Sequence, residues 1–197
     1  MQQRLNKIIK VANNRNLNVD VVFEGISDPH NALASFRNCD AFGIQNIHIV
    51  FDENTERFDP YRLGKVTSSG ANKWLNVKVW GTTKECFGYL KKQKSTIIAT
   101  HVNTKAKKLT EFSFKEYKKI AFVFGNEHKG ISDYAVKNSN YTMYVKQVGW
   151  VESLNLSVSV GVVLYEFFRQ TYKKPTTQNT SLVKEWCKKT WNYVPEF

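Results

Sequence analysis

IAFVFGNEHKGIS, residues 120–132, is the stretch that decides the fold. Its first five residues form an unbroken apolar run of Ile, Ala, Val and Phe, the composition of a strand buried on both faces. Gly125 follows at once and lets backbone approach a ligand closely, and Gly130 with Ser132 marks the opening of a helix. A buried strand running through a glycine turn into a helix is the repeating unit of a parallel α/β sheet. No Gly-Lys-Ser/Thr follows at the phosphate-loop spacing, and there is no Gly-x-Gly-x-x-Gly, so neither standard nucleotide fingerprint is present.

The same alternation recurs on either side. Residues 19–23, 47–51, 75–80, 96–100 and 141–145 are further strand candidates, and 75–80 alternates outwards and inwards. Between them lie helical stretches. One starts at His30-Asn31, sets Ala32, Leu33, Phe36 and Cys39 on one face, and is closed by Gly43. Others cover 82–92, 153–170 and 182–191. The pattern implies an α/β fold, a mainly parallel sheet with helices on both faces, whose ligand lies beyond the carboxyl ends of the strands.

At 197 residues with 42% hydrophobic and 14% aromatic content, the chain can bury a real core, which excludes a wholly disordered protein. No heptad or Gly-X-Y texture is present, and no apolar run approaches the roughly 18 residues of a membrane span. The N-terminus, MQQRLNKIIKVANNRN, lacks the apolar centre of a secretory signal. Cys39, Cys86 and Cys187 are odd in number and far apart, with no Cys-x-x-Cys and no histidine at zinc spacing. A soluble protein of a reducing, cytoplasmic compartment is expected, with neither disulfide nor metal.

Lys and Arg total 29 against 17 for Asp and Glu, a formal charge of +12. Such a surplus favours a polyanionic partner, above all a nucleic acid. No basic amphipathic helix faced with Trp and Leu supports a membrane surface. The ends share the sign: Arg4, Lys7, Lys10 and Arg15 stand against Asp20, and six cations stand against Glu185 and Glu196 over 169–197. Residues 1–20 and 171–197 are therefore expected as basic helical extensions that grip phosphates, flanking a domain at 21–170.

Three constellations carry chemistry. In HNALASFRNCDAFGI, residues 30–44, Arg37 interrupts an apolar helix, and Asn31 is placed to share its side, offering a guanidinium fork and an amide to a phosphate or sugar hydroxyl. In residues 122–132, Glu127 puts a carboxylate directly after a strand end; standing alone it reads as a solvated turn residue. In VGWVESLNLSVSVGVVLYE, residues 148–166, Ser153 and Asn155 stand at the entry of the long helix, where N-caps belong, yet beside Gly149 they also describe a pocket for an amphipathic ligand.

In this order the three constellations resemble the motifs of the SpoU/TrmH branch of the SPOUT RNA methyltransferases. Asn31, Arg37, Asp40, Ala41 and Gly43 match the first motif; Phe124, Gly125, Glu127, Gly130 and Ser132 match the second; Gly149, Ser153, Leu154, Asn155, Ser157 and Val158 match the third. TSSGANKW at 67–74 is similar to a Thr-Ser-x-Gly…Lys-Trp segment of the tRNA-modifying members. The resemblance implies a homodimer with a C-terminal trefoil knot that transfers a methyl group from S-adenosyl-L-methionine to a ribose 2′-hydroxyl of tRNA, at a D-loop guanosine. It implies Arg37, Asn31, Glu127, Ser153 and Asn155 as catalytic residues, and Thr100, Gly125, Val145 and Leu154 around the cofactor. Arg37 is the base in the family's proposal; because a guanidinium stays protonated, it is expected here to bind phosphate and stabilise the developing alkoxide. Other readings of the same motifs are an enzyme acting on rRNA or on the tRNA anticodon loop, and a non-catalytic RNA-binding relative. Three positions depart from the pattern: Lys146 stands for a proline, Gln147 for a methionine and Glu152 for a glutamine.

Overall fold

Strand β1, Asn16–Glu24, is the hinge of the architecture, buried along its last six residues. It pairs in parallel with β2, Ile44–Val50, on one side and with β6, Ile120–Phe124, on the other. Beyond β2 lies β3, Asn76–Trp80; beyond β6 lie β4, Thr96–Thr100, then β7, Tyr141–Tyr144, and the two-residue β5, Lys107–Lys108. The result is a seven-stranded, all-parallel sheet in the order β3-β2-β1-β6-β4-β7-β5. The computed structural model describes residues 1–26, 28–51, 57–60 and 70–195, so Thr67, Ser68 and Ser69 of the 67–74 segment lie outside it.

Helices cover both faces, as a parallel sheet requires. Helices α2, Pro29–Ala41, and α5, Leu156–Thr171, pack on one face with Phe23, Phe36, Phe122, Phe124 and Phe167 in a single cluster. Helices α3, Thr83–Lys92, and α4, Asp133–Asn138, close the other face over Val22, Ile97, Ala99 and Val123. Each fully buried Phe contributes about 2–3 kcal/mol through removal of its ring from water.

Helices α1, Gln2–Asn13, and α6, Thr180–Trp191, pack on each other through Leu5, Ile8, Ala12, Leu182, Val183 and Trp186, a third cluster joined by Trp74. Trp186 and Trp74 lie 5.0 Å apart between ring centroids. This junction reassigns Arg15. Its guanidinium is taken up by Asp40, with a further hydrogen bond to the Ile44 carbonyl at 3.3 Å, and its side chain is 1% exposed. It ties the turn between α1 and β1 to the end of α2 and the start of β2, and its charge is committed to Asp40.

Two expectations shift for physical reasons. The long helix begins at Leu156 and not at 153, because Asn155 caps it by accepting from the Ser157 amide at 2.8 Å. Strand β3 does not alternate cleanly: it is the sheet edge, and Val79 is 51% exposed there. Gly43 follows α2 with φ +74°, and a Cβ there would meet the Asn14 carbonyl oxygen at 2.6 Å, which accounts for glycine at that stop.

Candidate RNA-modifying site

Chain order reverses between β1 and β6, and a crevice forms at such a switch point beyond the carboxyl ends of the strands. The turns after β1 and β6 meet there. Asn126 donates its side-chain amide to the Gly25 carbonyl at 2.7 Å. Its Oδ1 accepts from the amides of His128 and Lys129, at 2.8 and 3.0 Å, while its backbone exchanges two 2.9 Å bonds with Gly130. The turn folds so tightly that a Cβ on Gly125 would lie 2.3 Å from the Gly130 carbonyl carbon and oxygen. Gly130 takes φ +68°, which closes it.

From this turn Glu127 reaches Asn31 on the first turn of α2, a helix started by Asp28 accepting from the His30 amide at 2.8 Å. Asn31 donates to Glu127 Oε1 at 2.9 Å, and Asn155 donates to Asn31 Oδ1 at 3.0 Å. Three side chains, 124 residues apart at the extremes, thus form one chain of hydrogen bonds. Asn155 does two things at once: its Oδ1 caps α5 while its amide fixes Asn31. Asn38 adds a bond to the Ser157 carbonyl at 2.6 Å, binding α2 to the start of α5. The second oxygen of Glu127 is buried and has no partner among the described residues, as does Oε1 of Gln147.

The other expected residues lie as follows. Thr100, at the end of β4, donates its hydroxyl to the Val123 carbonyl at 2.9 Å. Gly125, Thr100 and Val145 follow or end the adjacent strands β6, β4 and β7, and so form a row along one edge of the sheet. Val145, half-buried, lines a groove of ≈450 Å³ with Lys146 and Tyr165. Leu154 is half-buried and Ser153 exposed, both just before α5.

Arg37 does not join the amide chain. It is exposed and lines a separate groove of ≈760 Å³ with Arg4, Lys7 and Trp74. Six residues of helix turn it about 120° away from Asn31 and carry it about 9 Å along the axis, so the two do not share a side of α2. The groove also receives Gly70 and Ala71, which places the end of the 67–74 segment beside Arg37.

Sequence reasoning missed Glu24, which directly follows the 19–23 strand candidate. It is 6% exposed, accepts from the Ser132 amide and hydroxyl at 2.8 Å each, and takes a further hydrogen bond from Thr83. Ser132 in turn caps α4 through the Ala135 amide at 3.1 Å. A carboxylate at the end of a buried strand is the one signal that pointed to it. The thiols take no part: burial pushes Cys39 far up, and burial with Asp20 and Glu24 nearby pushes Cys86 up to about 12.

A parallel sheet carrying three such motifs at its switch point defines an RNA methyltransferase of the SpoU class. The model of the SpoU rRNA methylase family matches residues 18–165, and the chain belongs to that family. It is 32% identical over 172 residues to a tRNA (guanosine(18)-2′-O)-methyltransferase of Thermus thermophilus, covering 87% of this chain and 85% of that one. The corresponding Escherichia coli K12 enzyme is 29% identical, covering 85% and 70%. Among solved structures, an Aquifex aeolicus TrmH/SpoU tRNA modifying enzyme superposes with a TM-score of 0.81 at 22% identity, over 96% of this chain and 98% of that one. The Streptomyces viridochromogenes SpoU methyltransferase AviRb, solved with AdoMet, gives 0.65 at 21% identity over 83% and 60%.

Proposed function

We propose that this protein methylates a ribose 2′-hydroxyl of tRNA, at a D-loop guanosine, with S-adenosyl-L-methionine as donor. The observation that carries the proposal is the hydrogen-bonded chain Glu127–Asn31–Asn155, in which one residue from each motif meets at the switch point. The relatives acting on guanosine 18 of tRNA support the substrate.

The residues fit the donor. The buried, unpartnered oxygens of Glu127 and Gln147 want hydrogen-bond donors, which an adenosine moiety with its hydroxyls and amine possesses. Thr100, Gly125, Val145 and Leu154 would hold it through the loops that follow β4, β6 and β7, and bound there it supplies an electrophilic methyl group. Everything else falls to the chain. Arg37 binds the phosphate beside the target ribose and stabilises the negative charge that develops on the 2′-oxygen as its proton passes to water, an electrostatic contribution of about 3–4 kcal/mol. Asn31 and Asn155 position the ribose, Glu127 fixes Asn31, and Ser153 shapes the entrance. Alignment of hydroxyl and methyl supplies about 7–11 kcal/mol in favourable cases.

We further assign a homodimer. Val158, Val162 and Tyr165 leave an exposed apolar stripe on α5, continued by Val148, Trp150 and Val151 beside Asn155. A second copy covering this stripe brings an Arg37 to the amide chain from which a single chain separates it. The loops after β4, β6 and β7 carry the trefoil knot in this proposal, with the methyltransferase unit starting at β1, at Asn16 and not at 21, and with α1 and the residues after α5 as its arms. The free, buried thiols suit a cytoplasmic setting.

Mapping of 2′-O-methylation on total RNA, after incubation with protein and labelled donor, tests the function. A single methylated D-loop guanosine in tRNA is expected. Label confined to rRNA or the anticodon loop would replace the substrate, and no transfer with intact RNA binding would leave a non-catalytic RNA-binding protein.

A further inference from the structure

At the amino ends of the strands, opposite the amide chain, two cavities of ≈400 and ≈370 Å³ share Asn16, Asn18, Tyr172 and Lys173 as walls and make one groove. The tripeptide Tyr-Lys-Lys occurs at 117–119 and again at 172–174. The fold brings both copies to this groove, where Tyr117, Lys118, Tyr172 and Lys173 line one cavity together with Lys115. Among the described residues, no Asp or Glu lines either cavity. Lys115, Lys118 and Lys173 have no ion-pair or hydrogen-bond partner among the described residues, so their charges are uncommitted. Tyr172 is 48% exposed, and its ring is held by stacking on Phe168 at 4.5 Å.

We infer that this groove is a second RNA-binding surface, which takes an unpaired strand of the RNA being modified. The proposal rests on the RNA-methyltransferase reading for its partner and on nothing in the catalytic cluster. Uncommitted lysines without opposing acids attract phosphates, a pre-stacked tyrosine receives a base, and the side-chain amides of Asn16 and Asn18 answer base edges. A duplex hides those base faces, so the strand is unpaired. Five residues of β6 separate the groove at Ile120 from the turn at Gly125, about 17 Å at strand rise. The docked strand therefore belongs to a part of the RNA at least that far from the modified ribose.

The full-length protein is tested with a labelled single-stranded RNA octamer by fluorescence anisotropy and with a tRNA transcript by turnover. Lys118→Glu/Lys173→Glu is expected to raise the octamer Kd at least about tenfold and to raise KM for tRNA, leaving kcat and donor affinity unchanged. Lys118→Gln/Lys173→Gln should lower the salt slope by about 1.4, whereas Tyr172→Ala should weaken binding about fivefold or more without altering that slope. Unchanged octamer affinity overturns the inference. So does an equal loss in the control Lys91→Glu/Lys137→Glu, or displacement of the octamer by RNA duplex or polyglutamate at equal concentration. Octamer binding needs no methyl transfer, so an inactive protein that still binds here sinks only the methyltransferase reading, while normal KM and octamer Kd in the double Glu variant sink only this one.

Discussion

Arg37 is the residue on which chemistry and sequence agree most and geometry agrees least. The proposed mechanism gives it the central charge, but in one chain it faces Arg4 and Lys7 across a groove, away from Asn31. Replacing it by Ala should cut methyl transfer by about 10²–10³-fold, the loss typical of one charge-stabilising group. Donor affinity by isothermal titration should stay within about threefold, since Arg37 lies outside the loops after β4, β6 and β7 proposed to hold the donor. Retained turnover would remove Arg37 from the mechanism. Gly125 makes the opposite kind of case. A Cβ there collides with backbone at 2.3 Å, with no flexible side chain to yield, so Gly125→Ala should cost about 1–3 kcal/mol or more and lower the melting temperature. Because the same turn carries Glu127, that variant should also lose activity out of proportion to its stability at assay temperature. Glu127 itself was ambiguous in the sequence: its value as a site residue comes from Asn31, whose partner 96 positions away no local pattern reveals.

At the scale of elements, strands were legible and their ends were not. A five-residue run such as IAFVF leaves little choice of structure, and every predicted strand is present within a few residues. The start of α5 was blurred because both Ser153 and Asn155 are good caps, and only the Asn155–Ser157 bond decides between them. The short turns at Leu109–Glu111 and Phe114–Glu116 carried no periodicity and went unseen. They are held from α5: Gln170 accepts from the Phe114 amide at 2.9 Å and donates to the Phe112 carbonyl at 3.0 Å. Gln170 is braced by Glu166, whose pKa falls from 4.5 to about 2 because Arg169 and then Gln170 hydrogen-bond its carboxylate. A carboxylate with a depressed folded-state pKa adds stability above its unfolded value and loses it as pH falls through the folded one. The melting-temperature advantage over Glu166→Gln should therefore be full near neutrality, shrink from about pH 4.5 downward, and vanish only below about pH 2. A constant difference across that range, by circular dichroism melts, would show that Glu166 acts through shape and not charge.

For the whole molecule, charge sign was readable and charge placement was not. The surplus of +12 announces a polyanion, but composition counted Arg15 among the available cations, and folding commits it to Asp40. Nor could a linear sequence show that its two ends pack together through Leu5, Ile8 and Trp186 and so deliver Arg4 and Lys7 to the groove of Arg37. The separation of Arg37 from the amide chain is the main consequence at this scale, and a two-fold dimer resolves it if each site draws its guanidinium from the other subunit. Arg37→Ala and Asn31→Ala proteins, each inactive alone, then complement when unfolded and refolded together. In the mixed dimer the Arg37→Ala subunit keeps an intact amide chain and receives an intact Arg37 from its partner, so one of two sites works. A one-to-one mixture, half of it mixed dimers, should regain roughly a quarter of wild-type turnover. If guanidinium and amides of the same chain cooperate instead, every site in the mixture carries one lesion and no activity returns.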